Sequence, residues 1–208
     1  MRLGRFAAVG SQVLNAREAQ RLQTRARLFD AAVAEIGRTG LAGTDVAAIA
    51  AAVGVARGTF YFHFPTKEHV LVELERNEEA KIVAQLANQA DHRGDLMSML
   101  TSLVRQVLAA EKRLGPVVFR DMLALHFSST RPVGDGPDEH PLAEFVIAAI
   151  TRAQVARRMP RDADARELGV IFLTGLFALL VTGGTALGDR AALLDRYVKT
   201  IVHGMEAP

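Results

Sequence analysis

Residues Thr44 to Lys67, TDVAAIAAAVGVARGTFYFHFPTK, decide how the whole chain is read. Two short apolar-patterned segments flank Gly54, and the second carries Arg57, Thr59, Tyr61 and His63 among three phenylalanines, a mixture that a purely packing helix does not need. Helix, tight glycine turn, helix is the signature of a helix-turn-helix, whose second helix lies in the DNA major groove. Val46, Ile49, Ala50 and Val53 face inward on the first helix, and Gly54 supplies the positive φ of the turn. On the second, Arg57 and Tyr61 stand four apart and share one face while Phe60 and Phe64 share another. One face reads and the other packs.

Working outward, the periodicity is helical and no alternating strand is convincing. From Glu18 to Arg38 the set Leu22, Ala26, Phe29, Val33 and Ile36 forms one stripe, Gly40 is read as the helix stop, and Thr44 with Asp45 opens the next helix as cap and dipole-complementing acid. Thr66 caps a fourth helix running from Lys67 to about Gln89. After a break at Asp91–Gly94, Leu96, Leu100, Leu103 and Val107 mark a fifth helix ended by Gly115-Pro116, and a sixth runs from Val117 to about Phe127. Ser128 to Pro141, rich in Gly, Pro and Asp, is a loop. A seventh helix spans Leu142 to about Arg157, an eighth starts at Pro160–Asp164, and a ninth spans Asp189 to His203. The expected fold is all-α, about nine helices: a flexible arm over 1–17, a three-helix helix-turn-helix head over 18–66 and a helical body for effector binding and dimerisation over 67–208.

Bulk properties fit this division. In 208 residues, half of them apolar, a sizeable core is assured. The absence of cysteine removes disulfides, thiolate metal sites and a Cys nucleophile, and fits a cytoplasmic protein. Residues 1–70 hold nine Lys/Arg against five Asp/Glu, whereas the whole chain is only +2. A basic head on a slightly acidic body suits a polyanion reader. Arg2 and Arg5 in the arm are candidates for a minor-groove contact.

Three other classes fit the sequence less well. Leu168–Gly188 carries no charge over a span that a membrane helix could use, but Gly183-Gly184 read as a helix stop and the flanks lack a positive bias, so a buried or interfacial helix is expected. An enzyme would draw on Asp121, His126 and Ser128, yet Asp121 and His126 are five apart and face different ways; no phosphate-cradling glycine loop or nucleophile elbow follows a strand. The acids and histidine at Asp135, Asp138, Glu139 and His140 read as a surface loop rather than a metal site. A non-specific architectural DNA binder fits the head but not the large apolar body. No metal, cofactor or membrane partner is expected.

The segment IAAAVGVARGTFYFHFPTKEHVL, within a match covering about Leu22 to Leu74, resembles the TetR family of bacterial transcriptional regulators: GTFYFHFPTKEHVL keeps the family's glycine, hydroxyl, aromatics, His-Phe and Thr-Lys-Glu in register. The resemblance implies a homodimer that binds double-stranded, palindromic operator DNA and releases it when a small molecule enters the body. It places Tyr61 and His63 on the DNA backbone and Arg57, Gly58 and Thr59 over base edges. Thr44 and Lys67, read at helix N-termini, add phosphate contacts. Arg57 is the side chain of the reading helix able to bond guanine bidentately. Two departures are visible: Phe62 stands where related sequences often have tyrosine, leaving van der Waals contact, and Ala56 where a serine often caps the reading helix.

For the body, a small lipophilic effector is expected, with Phe119, Met122, Phe145 and Phe172 as apolar lining and His126 and Arg152 as polar anchors. The last two helices would pair with their copies through Leu176, Leu179, Leu180, Leu194, Tyr197, Val198 and Ile201 in a four-helix interface.

Overall fold

The ends of the short helices explain why the head folds as it does. In the computed structural model, which describes residues 16–88, 95–132, 140–160, 163–182 and 189–206, helix α2 (Val46–Val53) starts at Asp45, whose side chain accepts from the Ala47 amide at 2.8 Å. It ends at Gly54, held at φ 77°. The Val55 amide then reaches back to the Ala50 carbonyl at 3.0 Å, closing the turn with the backbone pairing of a left-handed helix stop. Helix α3 (Arg57–His63) follows at once; no side chain caps its start, because Ala56 stands there.

Helix α1 (Ala16–Gly43) breaks at Gly40, where the sequence places the stop. The chain bends there, at φ 73° and ψ 161°, and resumes helical structure to Gly43. Two contacts across the molecule account for the bend. Asp121 Oδ2 accepts from the Leu41 amide at 2.7 Å, and a Cβ at Gly40 would meet that same oxygen at 3.3 Å. A carboxylate 80 residues away supplies the acceptor that the kinked helix lost.

The remaining described helices are α4 (Lys67–Asn88), α5 (Leu96–Leu114), α6 (Pro116–Ala124), α7 (Pro141–Val155), α8 (Ala165–Thr182) and α9 (Arg190–Glu206). The expected sixth helix ends at Ala124 and tightens into a 3₁₀ turn over Leu125–Phe127. Among the described residues there is no strand. Arg2 and Arg5, the 91–94 break, Asp135, Asp138, Glu139 and the Gly183-Gly184 stop lie outside the described residues.

Helix α1 packs on α2, α3 and α4 and also on α6; α4 runs between α5, α6 and α7; α8 lies on α6, α7 and α9. Leu28, Ile36, Ile49, Phe60 and Phe64 are fully buried beneath the head, and Leu100, Leu103, Phe119, Leu142 and Phe172 fill the body. Helix α6 touches both regions. Val118 packs 3.4 Å from where a Cβ would stand on Gly37 of α1, while Phe119, Met122 and Leu123 line the interior.

Candidate DNA interface and effector cavities

Helix α3 divides its side chains cleanly. Phe60 and Phe64 point into the head, ring centroids 5.6 Å apart, with Phe29 6.3 Å from Phe64. Arg57, Gly58, Tyr61 and Phe62 are exposed and Thr59 is half-buried. Phe62 is 71 % exposed, a large apolar ring held in water in the isolated chain. Arg57 rests on its neighbour: Nη2 donates to the Tyr61 hydroxyl at 3.3 Å and the guanidinium lies 5.6 Å from that ring's centre. No carboxylate ties it down among the described ion pairs, so its five donors can turn to a base edge.

Beneath this face, Arg25 of α1 bonds Glu73 of α4 with both nitrogens and lies 4.6 Å over Phe64. Partial burial, and the charges of Arg25 and Arg21, hold the His63 ring below its usual proton affinity. Lys67, half-buried at the start of α4, donates to the carbonyls of Ala42 at 3.2 Å and Thr44 at 3.4 Å, so it caps the end of α1 while standing beside Tyr61 and Arg57 on one concave surface. Thr44 departs from the expectation. It is buried, its hydroxyl donates inward to Gly40 at 2.7 Å, and Asp45 is the residue that caps α2. Its side chain is therefore committed to the α1 kink rather than to a phosphate.

The six expected effector residues do not form one cavity. Phe119 and Met122 line a small interior space of about 20 Å³, room for about one water. Phe145 and Arg152 line a separate cleft of about 540 Å³. Phe172 is fully buried, its ring stacked on Tyr197 at 5.8 Å. His126 is an internal partner, hydrogen-bonded to Glu75 and 4.8 Å from the Phe177 ring.

What the sequence reading missed is a set of acids facing the interior space. Glu75, Glu78 and Glu79 are all buried on α4. Burial opposes the charge of Glu75, yet His126 and Arg131 (2.8 Å) hold its carboxyl below the usual range. Burial also opposes Glu78, and Lys81 (2.7 Å) and Arg113 (2.8 Å) hold it low. Glu79 accepts from the Leu142 amide at 3.2 Å; burial first, then the Glu75 charge, push it up to about 8. A signal was available: Glu75 and Glu78 continue the stripe of Leu71, Leu74 and Ile82, where an apolar residue is the rule.

Four of the seven residues expected at a dimer interface are turned inward. Leu176, Leu180, Leu194 and Val198 are buried within the protomer, and Leu179, Tyr197 and Ile201 pack partly against its core. Tyr197 donates its hydroxyl to the Phe172 carbonyl at 2.6 Å and lies so close to Gly175 that a Cβ there would collide with it. The apolar residues that α8 leaves outward are Val170 (55 % exposed) and Ile171 (48 %). Helix α8 is long and apolar enough to cross a membrane, but one face is packed on α6, α7 and α9.

The residues of the enzyme reading have separate partners: Asp121 binds the Leu41 amide, His126 binds Glu75, and Ser128 Oγ lies 2.8 Å from the Thr130 hydroxyl. Of the loop cluster, His140 is described, its ring 6.1 Å from that of His126. Among the described residues no group of three acids or histidines is arranged to hold a metal.

A helix-turn-helix with a free reading face, joined through α1, α4 and α6 to a helical body, defines a DNA-binding regulator with a sensing body. Residues 28–74 match the family described as bacterial regulatory proteins, tetR family. The HTH-type transcriptional regulator AcrR of Shigella flexneri is 34% identical over 87 residues, 41% of this chain and 40% of that protein. The HTH-type transcriptional repressor KstR of Mycolicibacterium smegmatis is 28% identical over 194 residues, 92% of each. Among solved structures, the TetR-family repressor FadR of Thermus thermophilus, in complex with lauroyl-CoA, superposes with a TM-score of 0.73 at 19% identity over 88% of this chain and 96% of that one. RolR in complex with resorcinol gives 0.67 at 16% identity, over 90% and 89%. Residues 28–74 are thus a tetR-family DNA-binding head, the likeness to the repressor KstR extends over 92% of the chain, and the protein is a ligand-responsive, DNA-binding transcriptional regulator.

Proposed function

We propose that this chain is a cytoplasmic, homodimeric repressor that holds a palindromic operator through its head, residues 18–66, and releases it when a small lipophilic molecule enters the body, residues 67–208. The observation that carries the reading is the division of α3: its phenylalanines Phe60 and Phe64 are fully buried while Arg57, Gly58, Tyr61 and Phe62 face solvent. Arg57 reads a base edge, with Gly58 allowing close backbone approach and Thr59 beside it. Tyr61, His63 and Lys67 hold phosphates, and Phe62 packs on sugar or a thymine methyl. Relatives support the response to ligand: FadR is seen with lauroyl-CoA, which carries an apolar acyl chain, and RolR with resorcinol, an aromatic diol. No membrane takes part. The outer face of α8 beyond Glu167, with Val170 and Ile171, meets its copy in the partner subunit.

The test begins with an operator selected from random DNA by the wild-type protein. Arg57→Ala should weaken binding to it by about 1 to 3 kcal/mol and relax the preference at one position of each half-site. Unchanged affinity and selectivity would remove Arg57 from the reading surface.

A further inference from the structure

A cleft of about 540 Å³ opens where the C-terminal end of α4, the N-terminal end of α5 and the C-terminal end of α7 meet. That volume lies in the range of small-molecule sites. Its floor is apolar and well packed: Leu96, Met99, Ala149 and Ala153 are buried, and Phe145 stands half-buried on the wall. Two exposed arginines, Arg152 and Arg158, line the rim. The chain leaves α7 through Arg157 at φ 56°, a left-handed position where glycine is usual. The Arg158 amide then donates to the Ala153 carbonyl at 3.0 Å, and the Arg157 amide to Gln154 at 3.0 Å. This turn folds the chain back so that Arg158 and Arg152 line the same cleft.

Neither guanidinium forms an ion pair among the described residues. The carboxylate among the described lining residues, Asp95, is engaged as the cap of α5: its Oδ1 accepts from the Ser98 amide at 2.8 Å. Two cations against one committed anion leave the rim net positive.

Deeper along the same helices the acids already have their own partners: Glu75 and Glu78 are paired with cations, and Glu79 accepts from the Leu142 amide. The interior space between α4, α5, α6, α7 and α8 is lined by Glu75, Glu78 and Glu79 together with Ile82, Phe119 and Leu142. Along α4, Ile82 of that space and Ala87 of the cleft are about 8 Å apart at 1.5 Å per residue. Buried, apolar Leu86, Leu100, Leu103 and Val146 occupy the helix positions between. The mouth is net positive while the helix positions beneath it are apolar, so a molecule with one charged and one apolar end has a single favourable orientation.

We propose that this cleft binds an amphipathic anion, a carboxylate or phosphate on an apolar tail, with its charged group between Arg152 and Arg158 and its tail over Leu96, Met99, Phe145 and Ala149. The proposal rests on the reading of the body as the effector-sensing unit.

The experiment titrates full-length protein with dodecanoate, lauroyl-CoA and dodecanol below their micellar concentrations, with binding followed by calorimetry and operator release followed separately on labelled DNA. At least one of the two anions should bind tenfold or more tightly than dodecanol. Dodecanoate alone identifies a carboxylate, and lauroyl-CoA alone identifies the phosphates. The double variant Arg152→Ala/Arg158→Ala should weaken the anion tenfold or more and leave dodecanol unchanged, and Arg152→Lys/Arg158→Lys should restore much of the loss. Both side chains are exposed, so the core is untouched. Binding of dodecanol as tight as that of the anions, binding of neither anion, or anion affinity unchanged in the double alanine variant overturns the proposal. Anion binding that follows the arginines without operator release leaves the site standing and removes the effector reading.

Discussion

Helix α3 and the first half of α4 are consecutive, separated by residues 64–66, yet they handle polar side chains in opposite ways. On α3 the polar residues face water and Arg57 has only Tyr61 to lean on. On α4 three glutamates point into the protein, two of them gripped by cations from α5, the 3₁₀ turn and the segment after it. The difference separates two uses of charge. An outward, loosely held cation keeps its hydrogen bonds available for another molecule, whereas an inward, fully paired carboxylate spends them on holding helices together.

The largest expected effect would break the second half of that comparison. Glu75→Ala removes the carboxylate bonded to both Arg131 and His126, leaving Glu79 as the acid that faces Arg131, and should destabilise the chain by about 3 to 5 kcal/mol in a denaturant titration. A loss below about 1 kcal/mol would mean that solvent, not Glu75, balances those groups.

Next comes the pH dependence of Glu79. Its folded pKa near 8 exceeds its ordinary value of 4.5, so the folded chain keeps a proton that the unfolded chain has released. Stability must then fall as pH rises from about 4.5 to about 8 and level off above. Glu75, Arg131 and the Leu142 amide face this carboxyl, and the Glu75 charge reinforces the shift. Glu79→Gln should remove this slope, gaining on wild type by on the order of 2 to 4 kcal/mol between pH 5 and pH 9. Parallel curves for the two proteins would show Glu79 ionised throughout.

Smaller effects test the outward half. Lys67 has two roles available, cap of α1 and phosphate contact. Lys67→Ala should weaken operator and random DNA alike, by roughly 1 kcal/mol, and reduce the salt slope by about one per protomer. A loss of thermal stability with an unaltered salt slope would assign it to the cap alone. Last, Ala56→Ser gives α3 the side-chain cap it lacks and should stabilise the head by about 0.5 to 1 kcal/mol, read as a rise in Tm.

The head was legible because its information is local. Gly54 must adopt positive φ, Phe60 and Phe64 repeat at helical spacing, and the polar residues between them fall on the other face whatever the rest of the chain does. Thr44 was misread because its hydroxyl is claimed by the kink at Gly40, and that kink exists where Asp121 of α6 caps Leu41. The inward turn of Leu176, Leu180 and Leu194 is hidden in the sequence for a similar reason. A helix such as α8, uncharged after Glu167, offers apolar residues on every side, and only the packing of α6, α7 and α9 shows that Leu176 and Leu180 are inside while Val170 and Ile171 are left outside.

The sequence by itself determined that the chain is helical, that residues 44–67 form a helix-turn-helix, and that Arg57 stands on its open face, since each follows from spacings of three and four residues and from one obligatory glycine. Only the tertiary structure decided which carboxylates are buried, which cations answer them, and that Arg152 and Arg158 share the rim of one apolar cleft. Pairings such as Glu75 with Arg131 or Leu41 with Asp121 span 56 and 80 residues, and no local pattern records a partner that arrives from another helix.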